Sequence, residues 1–199
     1  MSQYSLHALP LSGLARIEHR RAEDARGAFS RLYCEDSLER FGAPFHIRQI
    51  NRSLTRQRGS VRGLHYQAGP QPESKYITCL RGEVWDVVVD LRAGSPTFLH
   101  WHAEHLQAGD ASSLLVPAGF AHGFQALSDD AELLYLHSAD YAPEHEGGLS
   151  VFDPRLAIAW PLPVINLSAR DELHPWLDDC FTGVTVGIAV VVAAPCTCR

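Results

Sequence analysis

Three short stretches of this chain carry groups able to move protons or hold charge: "GSVRGLHYQ" with Arg62 and His65, "VPAGFAHGF" with His122, and "ELLYLHSADY" with Tyr135. Each sets a titratable side chain beside turn residues or glycines, where a ligand could approach the backbone. A fourth feature is compositional. Lys75 is the single lysine in the chain, and every other long-chain cation is an arginine. An ammonium is a compact point charge on a flexible stem, whereas a guanidinium is a broad planar fork, so a site that must press one small cation against one oxygen would need lysine.

The elements that must position these groups are strands. From Phe45 to Trp160, short runs with period-two patterning alternate with Gly, Pro, Asp and Ser turns, which predicts a mainly β protein. In "EVWDVVVDL", Trp85, Val87, Val89 and Leu91 fall on one face and Asp86 and Asp90 on the other, the pattern of a strand with one packed side. In "FLHWHAEHL", His100, His102 and Glu104 share a face that reads as solvated, and "AELLYLHS" places Tyr135 with His137. Helical signals are few. "EDSLERFG" predicts a short helix with Gly42 past its end, and "LSARDELHPWLDD" offers Ser168 as an N-cap. Eight or more strands with few helices imply a sandwich or jelly roll.

At 199 residues and 46% hydrophobic, the chain suits one domain with a sizeable core. Its formal charge of −6 argues against nucleic acid as a partner. Five cysteines without paired metal-ligand spacing, and no charged-then-apolar opening segment, fit a cytoplasmic protein. The apolar run from Gly183 to Pro195 is too short for a membrane helix and reads as a strand or docking tail.

"PAGFAH", from Pro117 to His122, matches the second motif of the cupin superfamily, and the surrounding text narrows the match. "RQINRS", "VRGLHYQ", "ESKYITCLRGEVWDVVVDLRAGSPTF", "PAGFAHGF", "LLYLHSADYAPEHE", "DPRLAIAWP" and "LSARDE" follow one another as in the dTDP-4-dehydrorhamnose 3,5-epimerase family, which the chain resembles over about residues 24–177. "DARGAF" looks like that family's D-x-R-G-x-F segment. The resemblance implies a cupin-type jelly roll with a few short flanking helices, a homodimer, no metal and no cofactor. It implies inversion of carbon 3 and carbon 5 of dTDP-4-keto-6-deoxy-D-glucose, a dTDP-linked 4-keto-6-deoxyhexose.

Such a reaction needs a base, a cation for the enolate oxygen and an acid on the opposite face. By position in the motifs, the resemblance assigns His65 as base, Asp171 as its hydrogen-bond partner, Lys75 as the cation and Tyr135 as the acid. An imidazole with an ordinary pKa of about 6.5 accepts a proton near neutrality, and a phenol of about 10 keeps its own. Asp171 also fits a capping box with Ser168. Arg26 and Arg62 match diphosphate contacts, Gln49 and Asn51 the thymidine contacts, Glu146 and Arg170 outer binding positions, and His122 a contact at the keto oxygen or a phosphate. Arg31 departs from the family's usual glutamate, and the tail over 178–199 departs from its usual polar end. Three alternatives stand beside this reading: inversion at carbon 3 alone, a sugar-nucleotide-binding cupin without turnover, and a metal-dependent cupin using "HWHAEH". The last lacks the expected H-x-H partner around His65.

Overall fold

The computed structural model describes residues 4–186. In chain order its elements are β1 (Tyr4–Ala8), β2 (Ala15–His19), β3 (Arg21–Asp24), β4 (Gly27–Ser30), α1 (Glu35–Arg40), β5 (Gln49–Thr55), β6 (Val61–Gln67), β7 (Lys75–Arg81), β8 (Glu83–Asp90), β9 (Trp101–Gln107), β10 (Ser112–Val116), β11 (Phe120–Ala126), β12 (Ala131–His137), β13 (Glu146–Gly148) and α2 (Ala169–Glu172). They build one six-stranded sheet in the order β1-β2-β10-β7-β12-β5 and one five-stranded sheet in the order β13-β6-β11-β8-β9, with β3 and β4 as a separate hairpin. Pairing within both sheets is antiparallel, and sequential strands repeatedly cross from one sheet to the other, which makes this the jelly roll that the strand pattern implied.

Three apolar clusters hold the sandwich. The first lies between the sheets, where Ile77, Leu114 and Leu133 meet Val84, Val88, Phe120 and Phe124. The second backs the five-stranded sheet, where Val61, Leu64, Val87 and Val89 pack under Leu149, Val151, Leu156 and Leu177. The third backs the six-stranded sheet, where Tyr76, Leu115 and Leu136 meet Phe45 and Leu38, the one buried residue of α1. Full burial of a side chain such as Leu38 is worth about 1.5–3 kcal/mol, so covering both outer faces accounts for much of the fold's stability.

That double covering corrects two expectations. The alternation in β8 is as the sequence implies, but the aspartate face does not meet water: Asp86 and Asp90 are fully buried in the interior. Asp90 is held there by Arg92, Ser95 and Thr97, a network that ties the loop after β8. The face of β9 with His102 and Glu104 is partly covered instead of open to solvent. His102 Nε2 lies 2.6 Å from Glu104, whose other oxygen takes Arg16 at 3.4 Å, and His100 falls before the strand. The interior strand β8 and the edge strand β9 follow one rule: polar groups are taken under cover where each finds a partner.

The helices are as short as expected. α1 ends at Arg40 with Gly42 in the left-handed region beyond it, and α2 is a single turn in which Ser168 Oγ accepts the Asp171 N–H at 3.1 Å. Of the apolar tail, residues 187–199 lie outside the described residues; before them, Val184 bridges Arg92. No helix among the described residues is long and apolar enough to cross a membrane.

Candidate active site

A cavity of about 910 Å³ opens between the sheets, a size suited to a nucleotide-linked sugar. The six-stranded sheet contributes Lys75 from β7, Tyr135 and His137 from β12, and Gln49 and Asn51 from β5. The five-stranded sheet faces them with Arg62 and His65 from β6, His122 from β11 and Glu146 from β13. Arg170 and Asp171 of α2 close one side.

Glycines fix the inner wall. At Gly63 a Cβ would come within 2.6 Å of the Gly123 Cα and 2.9 Å of the His122 carbonyl oxygen, so β6 and β11 can cross this closely only without side chains. The register slips there: His65 pairs with His122, but Arg62 pairs with Phe124. The sequence suggests these glycines as places for a ligand to approach. The structure uses them for strand-to-strand contact, and the resulting bulge aims His65 and Arg62.

His65 Nε2 donates to Asp171 Oδ1 at 2.8 Å, and the other Asp171 oxygen accepts the Gly63 N–H at 3.3 Å. Ser168 therefore caps the turn through the Asp171 N–H, while the Asp171 carboxylate holds the histidine and the Gly63 N–H instead of closing the capping box on Ser168. With Nε2 engaged, Nδ1 is the nitrogen open to accept a proton. Burial pulls the His65 pKa below its ordinary value; Asp171 opposes this, and Lys75 and His174 add to it. The result is an imidazole that stays neutral, as a base requires.

Lys75 is buried, and its Nζ reaches the His65 carbonyl oxygen at 3.4 Å and Glu73 Oε2 at 3.3 Å. Tyr135 stands on the same sheet, with its ring stacked on His137 at 5.9 Å and edge-on to His122 at 6.0 Å. Burial first, and then the nearby Asp86 carboxylate, push its phenol far above the ordinary range, so it remains a proton donor. His122 Nε2 donates to the fully buried Asp86 carboxylate at 2.9 and 3.0 Å, which orients the ring.

A polar chain runs from this centre to the rim. Gln49 Nε2 donates to Asn51 Oδ1 at 3.1 Å, and Asn51 Nδ2 meets His137 Nε2 at 3.3 Å. His137 Nδ1 faces Glu73 at 2.7 Å. At the rim Glu146 holds Arg170 at 2.6 Å and accepts the Tyr141 hydroxyl at 2.7 Å. Burial raises the Glu146 pKa less than these partners lower it. Arg62 lies along the cavity wall with Nε on Thr55 Oγ1 at 3.0 Å.

Ten of the eleven residues singled out in the sequence thus line one cavity. Arg26 does not. It stands on the exposed β3–β4 hairpin, paired with Asp24 at 2.6 Å. Glu73, His137 and Tyr141 line the cavity without having been singled out. Only His137 had a signal, its place two residues from Tyr135.

The dTDP-4-dehydrorhamnose 3,5-epimerase family model matches residues 8–179. A dTDP-4-dehydrorhamnose 3,5-epimerase of Streptomyces griseus is 45% identical over 85% of this chain and 85% of its own. A dTDP-4-dehydrorhamnose 3-epimerase of Streptomyces niveus is 42% identical over 84% of this chain and 81% of its own. Among solved structures, the dTDP-6-deoxy-D-glucose-3,5-epimerase of Legionella pneumophila Philadelphia 1, in complex with dTDP-4-keto-L-rhamnose, superposes with a TM-score of 0.86 at 35% identity, covering 93% of this chain and 100% of its own.

Proposed function

Because the chain belongs to the dTDP-4-dehydrorhamnose 3,5-epimerase family and is an isomerase of that kind, we propose that it inverts carbon 3 and carbon 5 of dTDP-4-keto-6-deoxy-D-glucose to give dTDP-4-keto-L-rhamnose. The observation that carries the proposal is the division of labour across the cavity: a neutral, carboxylate-anchored His65 on one sheet, and Lys75 with a protonated Tyr135 on the other.

His65 Nδ1 takes the proton from the carbon beside the ketone. Electrons move into the carbonyl, and the Lys75 ammonium stabilises the enolate oxygen, an interaction that gains strength as charge develops. His122, oriented by Asp86, assists at the same oxygen or at a phosphate. Tyr135 returns a proton to the opposite face, which inverts the centre. Asp171 fixes the His65 tautomer and stabilises the imidazolium that forms. Arg62 and Arg170 offer planar donors to phosphate oxygens, Glu146 keeps Arg170 in place, and Gln49 with Asn51 presents amides to the pyrimidine.

Arg26 enters the proposal through a homodimer. Its hairpin is exposed and pairs with neither sheet, so it is free to reach the cavity of a second copy. Sedimentation of the purified chain tests that arrangement. An odd count of five cysteines without paired spacing supports a cytoplasmic setting.

The deciding experiment is incubation with dTDP-4-keto-6-deoxy-D-glucose in deuterated water, read by mass and NMR. Deuterium at carbons 3 and 5 with inverted product is expected. Label at carbon 3 alone would support the second reading, which the similarity to the Streptomyces niveus 3-epimerase favours. Binding of the sugar nucleotide without any label would leave a binding module.

A further inference from the structure

His174 has no role in the mechanism above, yet it sits against the base. Its ring is edge-on to His65, with centroids 5.3 Å apart and planes at 85°. The ring rests over Gly148, where a Cβ would come within 2.3 Å of its atoms, so the backbone of β13 holds it in place. Its Nδ1 is buried, has no hydrogen-bond partner and lies 4.0 Å from Asp171 Oδ1. Leaving a buried ring nitrogen unsatisfied is unfavourable, and a site with such an atom invites a ligand. The same carboxylate oxygen accepts from His65 Nε2, at 2.8 Å.

One donor atom from each of His65, Asp171 and His174 thus lies within 4.8 Å of the other two. Tetrahedral zinc, with bonds of about 2.0–2.2 Å, asks for donors roughly 3.3 Å apart, so movements of about an ångström would bring all three onto one ion. Two imidazoles and one carboxylate suit zinc far better than magnesium or calcium, which prefer oxygen donors.

We propose that His65 Nε2, the Asp171 carboxylate and His174 Nδ1 form a zinc site that switches the enzyme off. A zinc ion on Nε2 takes the lone pair of that nitrogen. The proton it carried passes through solvent to Nδ1, the atom that would otherwise receive one from the sugar. The imidazole is then no base, and Asp171 is turned from the ring to the metal. The inhibitory half of the inference rests on the His65 assignment; the binding half does not.

Calorimetry of the full chain with zinc chloride, without sugar nucleotide, tests the binding half. One ion per chain is expected, with affinity falling roughly tenfold or more in His174→Gln and in Asp171→Asn. Two variants are used so that a folding defect in one, visible by circular dichroism, leaves the other decisive. An unchanged affinity in His174→Gln overturns the site. So does loss of binding in His46→Ala instead, since Glu35, Glu39 and His46 form the other close cluster among the described residues and are exposed. For the inhibitory half, zinc is expected to suppress deuterium incorporation by the wild type and a chelator to restore it. Incorporation unaffected by bound zinc overturns that half, while bound zinc in a chain that never turns over sinks the epimerase reading and leaves the site intact.

Discussion

Glu73 places one carboxylate oxygen 3.3 Å from Lys75 Nζ and the other 2.7 Å from His137 Nδ1, joining two basic side chains of the cavity wall. Burial alone would raise its pKa, but His137 and Lys75 outweigh that and hold it below the ordinary carboxylate range. With Glu73 and Lys75 each about 11% exposed, the pair is closer to a buried ion pair than to a surface one. Glu73→Ala would strand an ammonium in the interior and is expected to cost roughly 3 kcal/mol. Urea unfolding of the variant checks this; a loss below about 1 kcal/mol would mean that water already shields Lys75.

Lys75→Arg keeps the charge and changes its shape. A guanidinium cannot sit on the His65 carbonyl and Glu73 and still offer a single donor to one enolate oxygen. Turnover is expected to fall by about 100-fold, near the effect of removing one oxyanion donor, while dTDP binds as before. Near-normal turnover in steady-state assays would assign the lone lysine to chance composition.

Tyr135→Phe removes the acid and leaves the base. Hydrogen exchange at carbon 3 is expected to persist, because His65, Asp171 and Lys75 are untouched, while net inversion drops sharply. His65→Ala is expected to abolish exchange at both carbons and to spare dTDP binding. Finding exchange intact in His65→Ala by NMR in deuterated water would move the base elsewhere.

The pH dependence follows from the direction of the His65 shift. Its folded pKa lies below the ordinary value, so the neutral base survives into mild acid, and the acid limb of kcat/KM is expected to have its midpoint below about 6.5. Asp171 acts the other way, so Asp171→Asn is expected to move that midpoint lower still while reducing kcat by about 100-fold or more. The same depression links protonation to unfolding: stability contributed by neutral His65 is present above the unfolded pKa and is lost as pH falls through the folded one. A midpoint above 6.5 in the pH profile would contradict the burial of the ring.

Much of this arrangement was legible in the sequence because its signals are local. Period two in β12 brought Tyr135 and His137 together, Ser168 announced α2, and Gly42 announced the end of α1. What stayed hidden depends on the other sheet. The Asp86 and Asp90 face looks solvated until β8 is seen between β11 and β9 with a second layer over it. Glu73 becomes a site residue only because β7 and β12 run side by side, placing Lys75 opposite His137. His174 gave no signal, since nothing in "ELHPWL" records that Gly148 leaves room for its ring beside His65. The exposure of Arg26 was likewise invisible, because its hairpin joins neither sheet.

The cavity's two walls belong to different layers of the sandwich, and the Lys75 contact to the His65 carbonyl is a polar tie across the gap. A sugar nucleotide seated between them would work as a strut. It would brace the layers against sliding, so the molecule is at its stiffest when loaded and must loosen at that seam to let product go.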